Sequence, residues 1–135
     1  MAGSTQKPLE LILARNFISS LRTPAFLVNE PGDIVFFNEA TAGLLGQRFE
    51  QTGTVSAAEW TAQFGPFDAD ENPIPVDNQP LTRALRSGRP GHQHHRMRTG
   101  LGECREVEVS AVPIVGTDGF RGAIVFFWVT DGDQR

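Results

Sequence analysis

The sequence predicts an α+β domain: a five-stranded antiparallel sheet with short helices on one face and an N-terminal amphipathic helix on or near the other. Three observations carry this. The apolar pattern changes along the chain from helical spacing to two short β-rich runs, then to three capped helical segments, then to three strands. The last third alternates apolar and polar residues, as strands with one wetted face do. A chain of 135 residues, 39% of them apolar, is enough for one domain with its own core.

The elements follow in order. The first seven residues read as a loose tail. From Pro8, residues Leu9, Ile12, Leu13, Phe17 and Leu21 recur at helical spacing, and Leu11 and Ile18 widen the stripe, so a flanking helix is expected over 8–22. Thr23-Pro24 ends it, because the residue before a proline is pushed out of the α region. "AFLVNEPGDIVFF" is a hairpin signal around Pro31-Gly32-Asp33. Asn38 can cap a helix through "EATAGLLG", which closes at Gly46. In "SAAEWTAQF", Ser56 and Glu59 have the spacing of a capping box. Residues 65–80 hold Pro66, Pro73, Pro75 and Pro80 and read as an irregular connector, after which "PLTRALRSG" runs as a helix to Gly88. "GHQHHRMR" and "REVEVSAVP" read as strands, with Val107, Val109 and Ala111 on one side and Glu106, Glu108 and Ser110 on the other. "AIVFFWVT" closes the chain as a strand apolar on both faces, and "TGLG" and "GTDG" suit hairpin turns. The domain proper is expected over 23–131.

Charge and composition narrow the function. With 12 Lys and Arg against 16 Asp and Glu, the formal charge is −4, which argues against nucleic acid, whose phosphates need a basic face. The single cysteine excludes an intramolecular disulfide and agrees with a reducing compartment. The start lacks a secretory pattern, and no run of apolar residues is long enough to span a membrane. A cytoplasmic protein is expected.

In their order and spacing, these segments resemble the PAS family of sensory domains over roughly residues 22–130. "FLVNEPGDIVFFNEATAGLLG" is similar to the family's opening hairpin and first capped helix. "DADENPIPVDNQPLTRALRSGRP" is similar to a connector and helix of the bacterial branch found beside histidine kinases and cyclases, and "GFRGAIVFFWVT" to the closing strand. Two departures stand out: Asn72 replaces a usual glycine, and Trp128-Val129-Thr130 replaces the usual Asp-Ile-Thr or Asp-Val-Thr. The resemblance implies a non-catalytic module that binds a small molecule or a partner between sheet and helices and passes the change on to an output domain or protein.

Strand parity assigns the candidate sites. Phe26, Val28, Val35, Phe37, Val107, Val109, Val125 and Phe127 should face the helices, as core or as the walls of a ligand cavity. Placing Met97 inward also turns Gln93 and His95 inward and leaves His92, His94 and Arg96 outward. His92 and His94 share a face without a cysteine or carboxylate close in sequence, so no metal site is expected. Haem is disfavoured because the relatives present a histidine from a helix and "PLTRALRSG" has none. Flavin photochemistry is disfavoured because Cys104 falls on a strand and points outward. "FDADE" lacks the glycine and distant glutamate of a calcium loop. No set of residues suggests catalysis, so no enzyme is expected. On the outer face, Leu27, Ile34, Phe36, Ile124, Phe126 and Trp128 leave more apolar area than water tolerates. The stripe Leu9, Ile12, Leu13 and Phe17 is the natural cover, in the same chain or exchanged, and a homodimer across this face is expected. The sequence thus supports a sensory domain that binds a small molecule and dimerises, with a ligand-free interaction module as the alternative.

Overall fold

Strands formed from the two ends of the domain meet in the middle of the sheet. The computed structural model describes residues 9–116 and 119–130; the expected tail, Pro8, the tip of the last hairpin and Asp131 lie outside them. The strands are β1 (Ala25–Asn29), β2 (Ile34–Phe37), β3 (Gly91–Arg98), β4 (Cys104–Gly116) and β5 (Gly119–Val129). Their spatial order is β2-β1-β5-β4-β3, and every pairing is antiparallel. Phe26 lies opposite Val125 and Leu27 opposite Ile124. This close approach needs a glycine at 122, where an added Cβ would collide with the Val28 carbonyl.

The helices are α1 (Leu9–Ser19), α2 (Glu39–Leu45), α3 (Phe49–Thr52), α4 (Ala57–Gln63) and α5 (Pro80–Ser87), with a 3-10 turn at Val76–Asn78. Their ends follow from local chemistry. Asn38 Oδ1 accepts the Thr41 N–H at 3.1 Å, and Gly46 closes α2 in the left-handed conformation at φ 76°. Ser56 Oγ accepts the Glu59 N–H at 3.1 Å while the Glu59 carboxylate accepts the Ser56 N–H at the same distance. The one-turn α3 was not anticipated in the sequence; it occupies the stretch between the Gly46 stop and the Ser56 cap.

Two expectations are corrected. α1 ends at Ser19 instead of running to 22, because the hydroxyls of Ser19 and Ser20 turn back onto the Arg15 and Phe17 carbonyls at 2.7 and 2.8 Å. Its sheet-facing stripe is also different. Leu11, Ala14 and Ile18 are buried against Ala25, Leu27 and Phe36, with Leu21, Ile124 and Phe126 at the margin. Leu9, Ile12, Leu13 and Phe17, expected to be the cover, are 64%, 44%, 57% and 53% exposed. The small side chain of Ala14 permits close approach of helix to sheet, and Ile18 is tied down through its carbonyl, which accepts from Asn38 Nδ2 at 3.0 Å.

The second correction concerns β2. The register slips from Leu27 opposite Phe36 to Val28 opposite Ile34, which leaves Val35 as the extra residue of a bulge. Ile34 therefore turns inward, where it bridges to Val55, and Val35 joins the α1 side. Simple alternation had assigned these two the other way round.

Candidate functional site

The inner face of the sheet and α4 and α5 line a partly open cleft of about 60 Å³. Phe26, Met97, Val107, Val109, Val125 and Phe127 supply the sheet wall; Trp60, Phe64 and Leu81 supply the helical wall. Trp60 lies 4.8 Å from Phe26, 5.1 Å from Phe64 and 5.9 Å from Phe37 between ring centres, and Phe26 lies 6.1 Å from Phe127. These are the tilted and edge-on arrangements that aromatic rings prefer. Small-molecule sites usually measure roughly 300–1,000 Å³, so the protein's own rings fill most of this interior.

Of the residues expected to line a pocket, the structure thus brings six to the cavity and separates five. Val28 and Phe37 are buried core beside it, and Val35 is on the other side of the sheet. Gln93 and His95 are absent from the lining; they lie further along β3, with His95 near Arg83 of α5. Gln93 Oε1 and His95 Nε2 are nevertheless buried without a hydrogen-bond partner. Burial holds the His95 imidazole below its ordinary pKa, with the neighbouring charges of His94 and Arg83 acting the same way. The helical wall was missed in the sequence, although Trp60 and Phe64 stand at i and i+4 in a capped helix. Also missed was Gln79, buried, whose Nε2 donates to Thr61 Oγ1 and to the Ile74 carbonyl at 3.0 Å each.

On the outer face, β3 and β4 present a ladder of imidazoles and carboxylates. His94 lies directly opposite Glu108 and His92 opposite Ser110. His92 Nδ1 is 2.6 Å from Ser110 Oγ and its Nε2 is 2.5 Å from Glu108 Oε1. His94 Nδ1 is 2.8 Å from Glu108 Oε2 and its Nε2 is 2.7 Å from Glu106 Oε1. Hydrogen bonds to Glu108 and then Glu106 raise the His94 pKa, and the bond from His94, then that from His92, lower that of Glu108. Every ring nitrogen of this pair is thus engaged, and among the described residues no three His, Cys, Asp or Glu are placed to hold a metal ion.

The remaining sequence features are structural. Cys104 is a half-buried free thiol opposite Arg98 at the start of β4. In "FDADE", Asp68 Oδ1 accepts the Asp70 and Asn72 N–H groups at 2.9 and 3.0 Å, which forms a local turn. Asn38 does more than cap α2. Its Nδ2 donates to the Ile18 and Thr23 carbonyls at 3.0 and 2.9 Å, and its Oδ1 also accepts the Ala25 N–H at 3.1 Å. One buried amide therefore joins α1, β1 and α2.

No protein-family model matches the sequence, and no curated protein matches it. Solved structures do match. The PAS domain of a protein from Colwellia psychrerythraea superposes with a TM-score of 0.62 at 17% identity, covering 89% of this chain and 96% of that one. The chain has a PAS fold. The PAS domain of BvgS from Bordetella pertussis gives 0.62 at 13% identity over 91% of this chain and 87% of its own. The Rhodobacter sphaeroides LOV protein gives 0.68 at 13% identity over 90% and 68%. Within this PAS fold α1 flanks the outer face of the sheet, and no helix among the described residues is long and apolar enough to cross a membrane.

Proposed function

We propose that this chain is the sensory PAS domain of a cytoplasmic signal-transduction protein, and that it works by association and not by chemistry. Its core is closed by its own aromatic side chains. Its active form is a homodimer built on the outward stripe of α1, read by an output domain or partner protein. The observation that carries this is the stripe itself: Leu9, Ile12, Leu13 and Phe17 follow one another along one exposed face of a helix whose other face is already packed. Pairing two such stripes buries eight large apolar side chains from roughly half exposure, on the order of 8 kcal/mol gross. That is comparable with the cost of bringing two molecules together, so the dimer is expected to be concentration-dependent.

A second reading, small-molecule sensing on the inner side of β3 beyond the cavity, is favoured by Gln93 Oε1 and His95 Nε2, two buried polar atoms without partners on one face of that strand. Such atoms each cost about 1–3 kcal/mol, which a polar ligand group would relieve. Native against denaturing mass spectrometry of freshly purified protein separates the readings. A bare polypeptide dimer is the expected result. Extra mass lost on denaturation supports the second reading, and a bare monomer at all concentrations contradicts the first.

A further inference from the structure

Between α1 and the corner formed by α2 and α3 lies an open groove of about 280 Å³, with Phe37 of the aromatic core in its wall. Two arginines face it. Arg15 of α1 is half-buried, its guanidinium carbon 4.3 Å from the centre of the Phe36 ring and 5.8 Å from that of Phe49. Arg48, at the start of α3, is exposed. Among the described residues neither has a carboxylate within ion-pair distance.

This is a specific arrangement. A guanidinium laid on an aromatic face is held in place while its edge N–H groups stay free, and that planar fork matches a carboxylate. Because Arg15 is already ordered by the ring, less freedom is lost when it binds. The half-buried Phe49 ring beside it offers an apolar surface. Glu39 and Glu50 stand exposed at the rim, so the lining carries two positive and two negative charges. Phosphate can use the fork but has no apolar body for the ring, whereas a monocarboxylate with an aromatic body uses both.

We propose that this groove binds a small aromatic carboxylate, with the carboxylate on Arg15 and Arg48 and the ring against Phe49. The site does not depend on dimerisation or on the inner cavity. It spans the flanking helix and the α2–α3 corner, so an occupant ties α1 to the domain and gives this face a chemical input of its own.

Benzoate titrated into isotope-labelled protein, followed by amide chemical shifts, tests the site. Saturable shifts are expected at the amides of α1 and the α2–α3 corner, weakening with added salt. Arg15→Met and Arg48→Met should each reduce affinity at least about tenfold, a change of about 1.4 kcal/mol. Benzyl alcohol, with the ring but no carboxylate, should give no saturable shifts there. The proposal is overturned if benzoate fails to saturate by about 10 mM, a level beyond meaningful affinity. It is equally overturned if inorganic phosphate competes as well as benzoate, if both arginine variants bind unchanged, or if the shifts map to the inner cavity around Trp60.

Discussion

The two faces of the sheet bury their apolar residues to different degrees. On the inner face, Phe26, Trp60, Phe64 and Phe127 close on one another and leave about 60 Å³. On the outer face, α1 covers Leu27 and Phe36 yet turns Leu9, Ile12, Leu13 and Phe17 to solvent, and Trp128 remains 40% exposed near His92. The inner face is a finished core, so a change there is felt as stability. The outer face still shows solvent the α1 stripe that we propose a second copy covers, and on that proposal a change there is felt as association. A single sheet thus separates the requirement to fold from the capacity to interact.

The sharpest way to break this contrast is at Trp60. Trp60→Ala removes a ring packed on three others and should cost about 3–5 kcal/mol, read as a lower urea midpoint with little change in slope. A cost under about 1 kcal/mol, the size of a typical point substitution, would mean that the inner core is not closed as described. Next comes the joint between the faces. Asn38→Ala leaves the Ile18 and Thr23 carbonyls and the Thr41 N–H without their side-chain partner, while the Ala25 N–H keeps only Thr41 Oγ1 at 2.9 Å. A loss of about 2–3 kcal/mol is expected, with amide exchange quickened in α1 before the rest of the domain.

The smallest effects are those of pH, and here the faces differ in sign. His94, raised above its ordinary 6.5 by its carboxylate partners, contributes stability that is complete below 6.5 and lost as pH rises through its raised value. Glu108, lowered from 4.5, contributes above 4.5 and loses it as pH falls through its lowered value. His95, lowered by burial, does the reverse of its neighbour: stability falls as pH drops below 6.5 toward its own pKa. Thermal midpoints across pH 4 to 9 should therefore lose part of their alkaline decline in His94→Gln and part of their acid decline in His95→Leu. The same limb flattening in both variants would contradict the opposite environments of adjacent residues.

Much of this architecture was legible in the sequence because local signals and packing agree. The caps at Asn38 and Ser56, the stops at Gly46 and Gly88, and the alternation of Val107, Val109 and Ala111 each have a local cause. What could not be read depends on contacts distant in sequence. The bulge at Val35 arises from pairing with β1 and inverts Ile34 and Val35 without any mark in "DIVFF". α1 carries two apolar stripes, and nothing local says which one meets the sheet; the choice of Leu11, Ala14 and Ile18 depends on Asn38, twenty residues away from Ile18, holding the helix end. The cavity's helical wall was missed because attention to strand parity gives no weight to Trp60 and Phe64. Parity did put His92 and His94 outward and His95 inward, but the carboxylates that engage the outer pair sit on β4, across a hairpin, and become visible only through register.

The central claim is that the outward stripe of α1 is an interface between two copies of this chain. Sedimentation equilibrium of the wild type beside Leu13→Glu/Phe17→Glu, over a wide range of protein concentration, tests it most directly. Both residues are exposed in the single chain, so the variant should unfold at nearly the wild-type urea concentration. The account predicts a wild type that passes from monomer to dimer with concentration and a variant that stays monomeric throughout. A wild type that never exceeds the monomer mass, or a variant that dimerises as the wild type does, would contradict it.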